Sequence, residues 1–364
     1  MDQRELDVAQ AFQRAMGEIR DARPDVLAIA GDIFDRVRPS NPSITLAFSE
    51  LRQLCEALPD LHVVLVGGNH EIPRATETGC VLPLFAELPR VHVVWDRPQR
   101  LELPSGIVWG VPEGHEPPAE PEGLLVFHGD VEGIVPHGSA DRPAHRIAPE
   151  RFAGWDFVIL GHYHVYTMVR PNAAYVGALE YVSSDVWGEL RAEAEHGIPG
   201  KGWMLVELGT GAPTVQFRPG PTRRFMDLAP IEGTGLGAED LDAAIAARVA
   251  ELGDLTGAVV RLVVREVTRD VRRNLNHTQL RQWRAAALHF QLDLRRAEHE
   301  ISPAARASRF KQLDEALAEF LGARPLDPAI DRAAFVERGM AAFADVGLDP
   351  TRDPYTGEKV PGLA

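Results

Sequence analysis

The chain has 364 residues, 45% hydrophobic and 25% charged, a composition that excludes a mainly disordered or fibrous protein. No apolar run reaches the roughly 18 to 20 residues of a membrane span. MDQREL does not open a signal peptide, and Cys55 and Cys80 cannot staple a fold of this size, so a reducing cytoplasm without membrane attachment is the expected home. The net charge of -15 argues against non-specific coating of nucleic acid, yet residues 261–309 hold eleven Arg, no Lys and five acids, a local excess of +6. Of 38 basic residues only Lys201, Lys311 and Lys359 are lysines, a bias that reads as GC-rich coding rather than function.

Val8, Phe12, Met16 and Ile19 predict a first helix, ended by Pro24. The apolar run Val26–Ala30 is short enough to be a buried parallel strand. Ser40, Asn41 and Pro42 form a cap and first turn for a second helix carrying Ile44, Phe48, Leu51 and Cys55, and a second strand follows at Leu61–Val66. Strand, helix and strand in this order predict an α/β fold. Further strands are expected at Val91–Trp95, Ile107–Val111, Leu124–Phe127, Phe157–Leu160, Lys201–Leu208 and Thr214–Phe217, with a proline-rich loop at Pro112–Glu122. The Pro/Gly/Arg connector Arg218–Arg224 marks a boundary. Beyond it come a helix near 238–252, a strand at Ala258–Val267, a helix near 277–288 and a strand at Phe290–Arg295. Leu313, Leu317, Phe320 and Leu321 share one helical face; Ile330, Phe335, Val336, Met340 and Phe343 share another, and residues 347–364 show no periodicity.

Four of these strands end in residues that bind cations. VLAIA runs into Gly31-Asp32, HVVLV into Gly67-Gly68-Asn69-His70, LLVF into His128-Gly129, and FVIL into Gly161-His162-Tyr163-His164. Ligands of open α/β sheets bind outside the carboxyl edge, and oxygen with imidazole donors suits manganese, iron or zinc. A lone Gly-Asp is often only a turn, and a lone His such as His128 is more often a satisfied polar residue. Four independent strand ends carrying such residues are what favour a metal site.

GDIFDR, GNHE, HG and GHYH resemble the successive motifs of the calcineurin-like metallophosphoesterases. PDVLAIAGDIFDRVRPSN, VVLVGGNHEIPR and the spacing to FVILGHYH are similar to the SbcD-type DNA exonuclease subunits, over residues 1 to about 185 and more weakly to about 300. The resemblance implies that Asp32 bridges two divalent metal ions, above all manganese. Asn69, His128 and His162 would complete one position, His164 would belong to the other, and His70 would be the catalytic acid beside the leaving oxygen. Two such cations polarise a phosphodiester and activate a water for in-line attack, and an imidazole titrates in the right range to protonate the departing sugar oxygen.

The match has gaps. The family's D-x-H motif, on a strand before the helix that opens here, would supply two ligands of the second cation and has no counterpart. A start codon placed too late is the favoured explanation. Otherwise one cation site is intact and one crippled, and the chain as written is expected to be a poor nuclease. Glu71 stands where Asp is commoner, a change read as minor. Tyr175-Val176-Gly177-Ala178 replaces the family's Pro-Gly-Ser, which bears on how a phosphate is held. Asp35 and Arg36 are expected to orient the loop around Asp32, with His115 and His137 as bystanders.

In the basic segment Arg269, Arg272, Arg273, Arg281 and Arg284 are expected to grip DNA phosphates, because the family's second domain caps the nuclease cleft. Trp283 could stack on a base, although the core is its slightly favoured place. The expected architecture is therefore a layered α/β metallophosphoesterase domain (1–217), a small α+β DNA-capping domain (218–300) and a C-terminal helical segment and tail (301–364). That last segment resembles the tail that holds an SbcC-type coiled-coil ATPase; packing on the capping domain is equally open. The expected function is a metal-dependent DNA exonuclease and endonuclease at DNA ends, with a homodimer implied by the resemblance. Alternatives are a metallophosphoesterase of small phosphate esters, or a catalytically impaired subunit that binds only DNA and the ATPase.

Overall fold

In the computed structural model the first apolar stripe becomes helix α1 (Gln3–Ala22), which buries Ala11, Ala15, Met16 and Ile19 while Val8 stays exposed. The structure describes residues 3–73, 79–134, 146–296, 317–318, 320–322, 324 and 331–345; His137, Leu313, Ile330 and residues 347–364 lie outside them. Strand β1 (Val26–Ala30) follows, then helix α2 (Asn41–Ala57), whose cap is the Ser40 hydroxyl accepting from the Ser43 amide at 3.3 Å. Strands β2 (His62–Val66) and β3 (Val91–Val94) complete a parallel sheet in the order β1-β2-β3. The chain divides into two compact units, Met1–Arg224 and Phe225–Ala364.

A second, six-stranded sheet of the first unit uses β4 (Gln99–Leu103), β5 (Gly106–Val111), β6 (Leu124–His128), β9 (Phe157–Gly161), β10 (Thr167–Arg170) and β11 (Ala173–Tyr175). Its order is β10-β11-β9-β6-β5-β4, with β5, β6, β9 and β11 parallel. Short strands β7 (Asp130–Val131) and β8 (Arg146–Ile147) pair with each other.

Alternation along the strands sorts the side chains into layers. Leu27, Val63, Leu65 and Val91 turn toward α1 and α2, joining Met16, Leu51 and Phe85. Their alternates Ala30, Val64, Val66 and Val94 meet Val108 and Val126 of the second sheet. Leu125, Phe127, Val158 and Leu160 face the far side, with Phe152, Trp155 and Tyr175. The unit is thus helices, sheet, sheet and a third apolar layer, and the two sheets approach closely at Gly161. A Cβ there would sit 1.7 Å from the Ala30 carbonyl oxygen, so glycine is required.

Helix α3 (Val186–His196) and a hairpin of β12 (Gly202–Glu207) and β13 (Thr214–Pro219) end this unit. The connector 218–224 belongs to it, because β13 runs on to Pro219 and the Arg223 guanidinium donates to Asp7 of α1. Arg4 donates to the same carboxylate at 2.6 Å.

In the second unit β14 (Phe225–Glu232), α4 (Ala238–Ala250), β15 (Val259–Val267), α5 (Arg269–Arg273), α6 (His277–Ala286) and β16 (His289–Arg296) form a sheet in the order β14-β15-β16. The small domain expected as α+β has its three strands parallel, since helical crossovers separate them. α4 and α6 bury Leu241, Ile245, Val249 and Leu280 against Val260, Leu262 and Val264. Helix α7 (Arg332–Asp345) is the described part of the tail's second helix. No described helix is long and apolar enough to cross a membrane.

One side chain joins the two loops that leave β1 and β2. Glu71 is fully buried and accepts from the amides of Asp32 (3.0 Å), Phe34 (2.7 Å) and Gly68 (2.9 Å). Asp35 and Arg36, expected to orient this loop, are 73% exposed and pair with each other; Asp35 meets His70, its carbonyl accepting from the ring at 2.8 Å and its carboxylate 3.9 Å from the same nitrogen. Glu71→Ala leaves three amides without their acceptor and is expected to cost about 3 kcal/mol or more in urea unfolding. Asp7 gives a second test. The Arg223 guanidinium, followed by Gln3 and Arg4 and opposed by burial, holds its carboxyl below the ordinary 3.8. A depressed acid stabilises the fold above its unfolded value and loses that contribution as pH falls through the folded value. Asp7→Asn should therefore cost roughly 1 to 2 kcal/mol at pH 7, with the gap to the wild type closing in acid denaturation below about pH 4.

Candidate metal centre

The carboxyl ends of β1, β2, β6 and β9 deliver their side chains to one place. Asp32 sits at φ 52° and His162 at φ 99°, strained backbone that bends each chain sharply as its strand ends. Asp32, His128 and His162 each direct one ligand-type atom into a common volume, all within 4.8 Å of one another. Asn69 lies between them, its Oδ1 3.1 Å from His128 Nε2 and 3.0 Å from His162 Nδ1. His128 Nε2 is 3.4 Å from Asp32 Oδ2. Donors about 2.1 Å from one ion and 90° to 109° apart stand about 3.0 to 3.4 Å from each other.

The proton inventory points the same way. His128 Nδ1–H donates to the Ala30 carbonyl at 2.7 Å, so its neutral ring turns an Nε2 lone pair toward the oxygens of Asn69 and Asp32. Burial pushes the His128 pKa down, outweighing the nearby Asp32. Burial, then His128, does the same to His162. His128 thus offers a lone pair, not a proton, to the oxygens of Asn69 and Asp32, and a cation is what such a donor set accommodates. Gly68 keeps the volume open, because a Cβ there would lie 2.2 Å from Asp32 Oδ1.

Each ring has an acceptor on its outer nitrogen. His128 has the Ala30 carbonyl; His162 Nε2 faces the buried Asp130 carboxylate at 3.5 Å; His164 Nδ1 donates to Glu189 at 3.0 Å. Outer partners of this kind set the tautomer and aim the ligating nitrogen. His164 is thereby turned to present Nε2. His70 stands at the solvent side, its side chain 42% exposed and its amide donating to Asp32 Oδ1 at 3.1 Å. Its Nδ1–H donates to the Asp35 carbonyl at 2.8 Å, leaving Nε2 outward. Burial opposes the charged ring, but the Asp35 carbonyl and the carboxylates of Asp32, Asp35 and Glu71 prevail and raise its pKa.

Several functional neighbours carry no motif. Asp130 follows the His128-Gly129 pair without standing out. Glu113, after β5, has a buried Oε2 without a hydrogen-bond partner; burial first, then Asp130 and Asp32, pushes its pKa up to about 7. Burial and Asp32 likewise push Glu71 to about 7 against its three amides. His115 only meets its own loop, at the Glu113 carbonyl 3.2 Å away, and Tyr175 is buried with its hydroxyl donating to the Gly129 carbonyl at 2.8 Å. The arginines at 269, 272, 273, 281 and 284 are exposed in the second unit, on α5 and α6. Trp283 is partly buried against the second core, 5.7 Å from the Phe290 ring.

Residues 7–166 match the family model of the calcineurin-like phosphoesterases. A DNA double-strand break repair protein Mre11 of Methanopyrus kandleri is 41% identical over 81 residues, 22% of this chain and 17% of that protein. An Mre11 of Haloferax volcanii is 28% identical over 248 residues, 64% of this chain and 52% of its own. The SbcD component of the nuclease SbcCD of Rhodobacter capsulatus is 40% identical over 69 residues, 19% of this chain and 17% of that protein. The chain thus spans about half or less of these relatives. The ligand geometry and the family match fall on the same strands: residues 7–166 of the first unit are similar to the calcineurin-like phosphoesterases.

Proposed function

We propose that the chain is a metal-dependent DNA nuclease subunit that hydrolyses phosphodiesters at DNA ends in break repair, together with a coiled-coil ATPase. The observation that carries this reading is the convergence of Asp32, Asn69, His128 and His162 at ligand spacing. These four would hold one divalent ion, with manganese the favoured metal, and Asp32 with His164 would contribute to a second. Such ions supply Lewis acidity toward a phosphate oxygen and a nucleophilic water at neutral pH. The chain's own residues do the rest. Asp130, Glu189 and the Ala30 carbonyl orient the rings, while Glu71 fixes the two loops. His70 Nε2 faces outward to protonate a departing sugar oxygen.

DNA as the substrate is supported by the names of the relatives and by the exposed arginines of α5 and α6. Among the described residues the guanidinium groups of Arg272, Arg273 and Arg284 meet no carboxylate, so they are open to phosphates. A homodimer and an SbcC-type ATPase held by the C-terminal helices remain part of the proposal, with Phe335 and Val336 of α7 only half-buried.

Four outcomes are expected. Manganese should bind by calorimetry, its apparent affinity rising from pH 5 to pH 8 with proton release, because a cation favours the ionised forms of Glu113 and Glu71, both near 7 without one. Gly68→Ala should abolish that binding while far-UV circular dichroism stays that of the wild type. Slow manganese-dependent degradation of linear duplex DNA should fall by about 100-fold in His70→Ala. Cleavage of a chromogenic phosphodiester but not of DNA would move the reading to a small substrate. Arg272→Glu with Arg273→Glu should weaken DNA binding and reduce the slope of log affinity against log salt by about 2; unchanged affinity would remove these residues from the interface.

A further inference from the structure

Behind His164 lies a buried charge cluster that no motif marks. Lys201 is 1% exposed, and its ammonium has three oxygen partners: Glu189 Oε2 at 2.8 Å, Glu193 Oε1 at 2.7 Å and the His164 carbonyl at 2.8 Å. The ammonium donates to the carbonyl and forms close ion pairs with both carboxylates, a set that a compact ammonium fits more readily than a planar guanidinium. The Tyr181 ring lies 4.7 Å from the same ammonium, and the Tyr181 hydroxyl donates to Glu193 Oε2 at 2.6 Å. In a chain with three lysines among 38 basic residues, the one buried cation of this cluster is a lysine.

The two carboxylates divide the work. Glu193 is committed to Lys201 and Tyr181. Glu189 faces Lys201 with one oxygen and His164 with the other, at 3.0 Å from Nδ1. Two carboxylates against one ammonium leave a surplus negative charge in the interior, a costly arrangement unless a further cation stands nearby. The group that shares Glu189 with Lys201 is the His164 ring.

We propose that Lys201 and Glu189 are positioning residues for His164. Lys201 locks Glu189 and the His164 backbone together, Glu189 holds the ring in its Nδ1–H form, and Nε2 is thereby aimed at the second cation position. The proposal rests on the cation reading above and adds a control on it from α3 and from Lys201 just before β12, outside residues 7–166. It also explains why α3 buries Gly188, Glu189, Ala192 and Glu193 rather than a hydrophobic stripe.

The test uses the full chain with 15N-labelled histidine, metal-free at pH 8, where the His164 signals are assigned by comparison with His164→Gln. The wild type is expected in the Nδ1–H form; an Nε2–H ring would overturn the proposal. Glu189→Leu, checked for folding by circular dichroism, should release the ring toward the Nε2–H form, whereas Glu189→Gln, which keeps an acceptor, should retain Nδ1–H. A folded Glu189→Leu with an unchanged tautomer would overturn the idea. Manganese counted by electron paramagnetic resonance gives the second readout. Glu189→Gln should weaken the weaker class of site by about 10-fold and leave the tighter class alone; equal affinities in both classes would count against the device even if Glu189→Leu fails to fold. Should the wild-type ring be Nδ1–H while manganese binds nowhere, the positioning would stand and the cation reading would fall.

Discussion

Everything in the first unit is arranged around a group of lone pairs that point at one another. Asp32, Asn69, His128 and His162 present acceptors at about 3 Å, an arrangement that repels itself unless a positive charge enters. The fold supplies the force that holds them there. Buried strands fix the four positions, and Glu71 satisfies three amides that would otherwise let the two loops separate. Strain at Asp32 and His162 is tolerated because the packing beneath leaves those residues no other conformation.

Control of the rings is the second layer of the design. Three histidines at the ends of these strands are each turned by a different acceptor: a main-chain carbonyl, a buried aspartate and a glutamate tied to lysine. The choice matches burial. His128 is fully buried and needs only a neutral acceptor, whereas His164, 28% exposed at its side chain, is held by a charged one that competes with water.

Much of this was legible in the sequence, and the pattern of what was not is physical. Short apolar runs ending in Gly-Asp, Gly-Asn-His and Gly-His are local features, so β1, β2, β6 and β9 and their ligands stood out. Helix α3 did not, because its inward face is Gly188, Glu189, Ala192 and Glu193, the reverse of an apolar stripe, and its partners lie on other elements. Strand β14 was hidden by Pro230, where its pairing with β15 shifts between Leu228 and Ile231. Glu71 was underrated as a variant of Asp, since nothing local reveals that it reaches three amides on two loops. Glu113 and Asp130 become visible only when strands distant in sequence lie side by side.

The ligands also come from two different sheets. Asp32 and Asn69 leave the three-stranded sheet, while His128 and His162 leave the six-stranded one; between the two lies an apolar layer, tied at its carboxyl edge by the hydrogen bonds from His128 to the Ala30 carbonyl and from the Glu113 amide to the Gly67 carbonyl. Apolar contact resists separation but has little preference against sliding. An ion held by all four residues would act as a rivet through the sandwich, reinforcing the few hydrogen bonds that already pin the two sheets at that edge. The resistance of the first unit to heat would then track the free metal concentration, and a chelator would loosen the whole layer structure rather than only emptying a site.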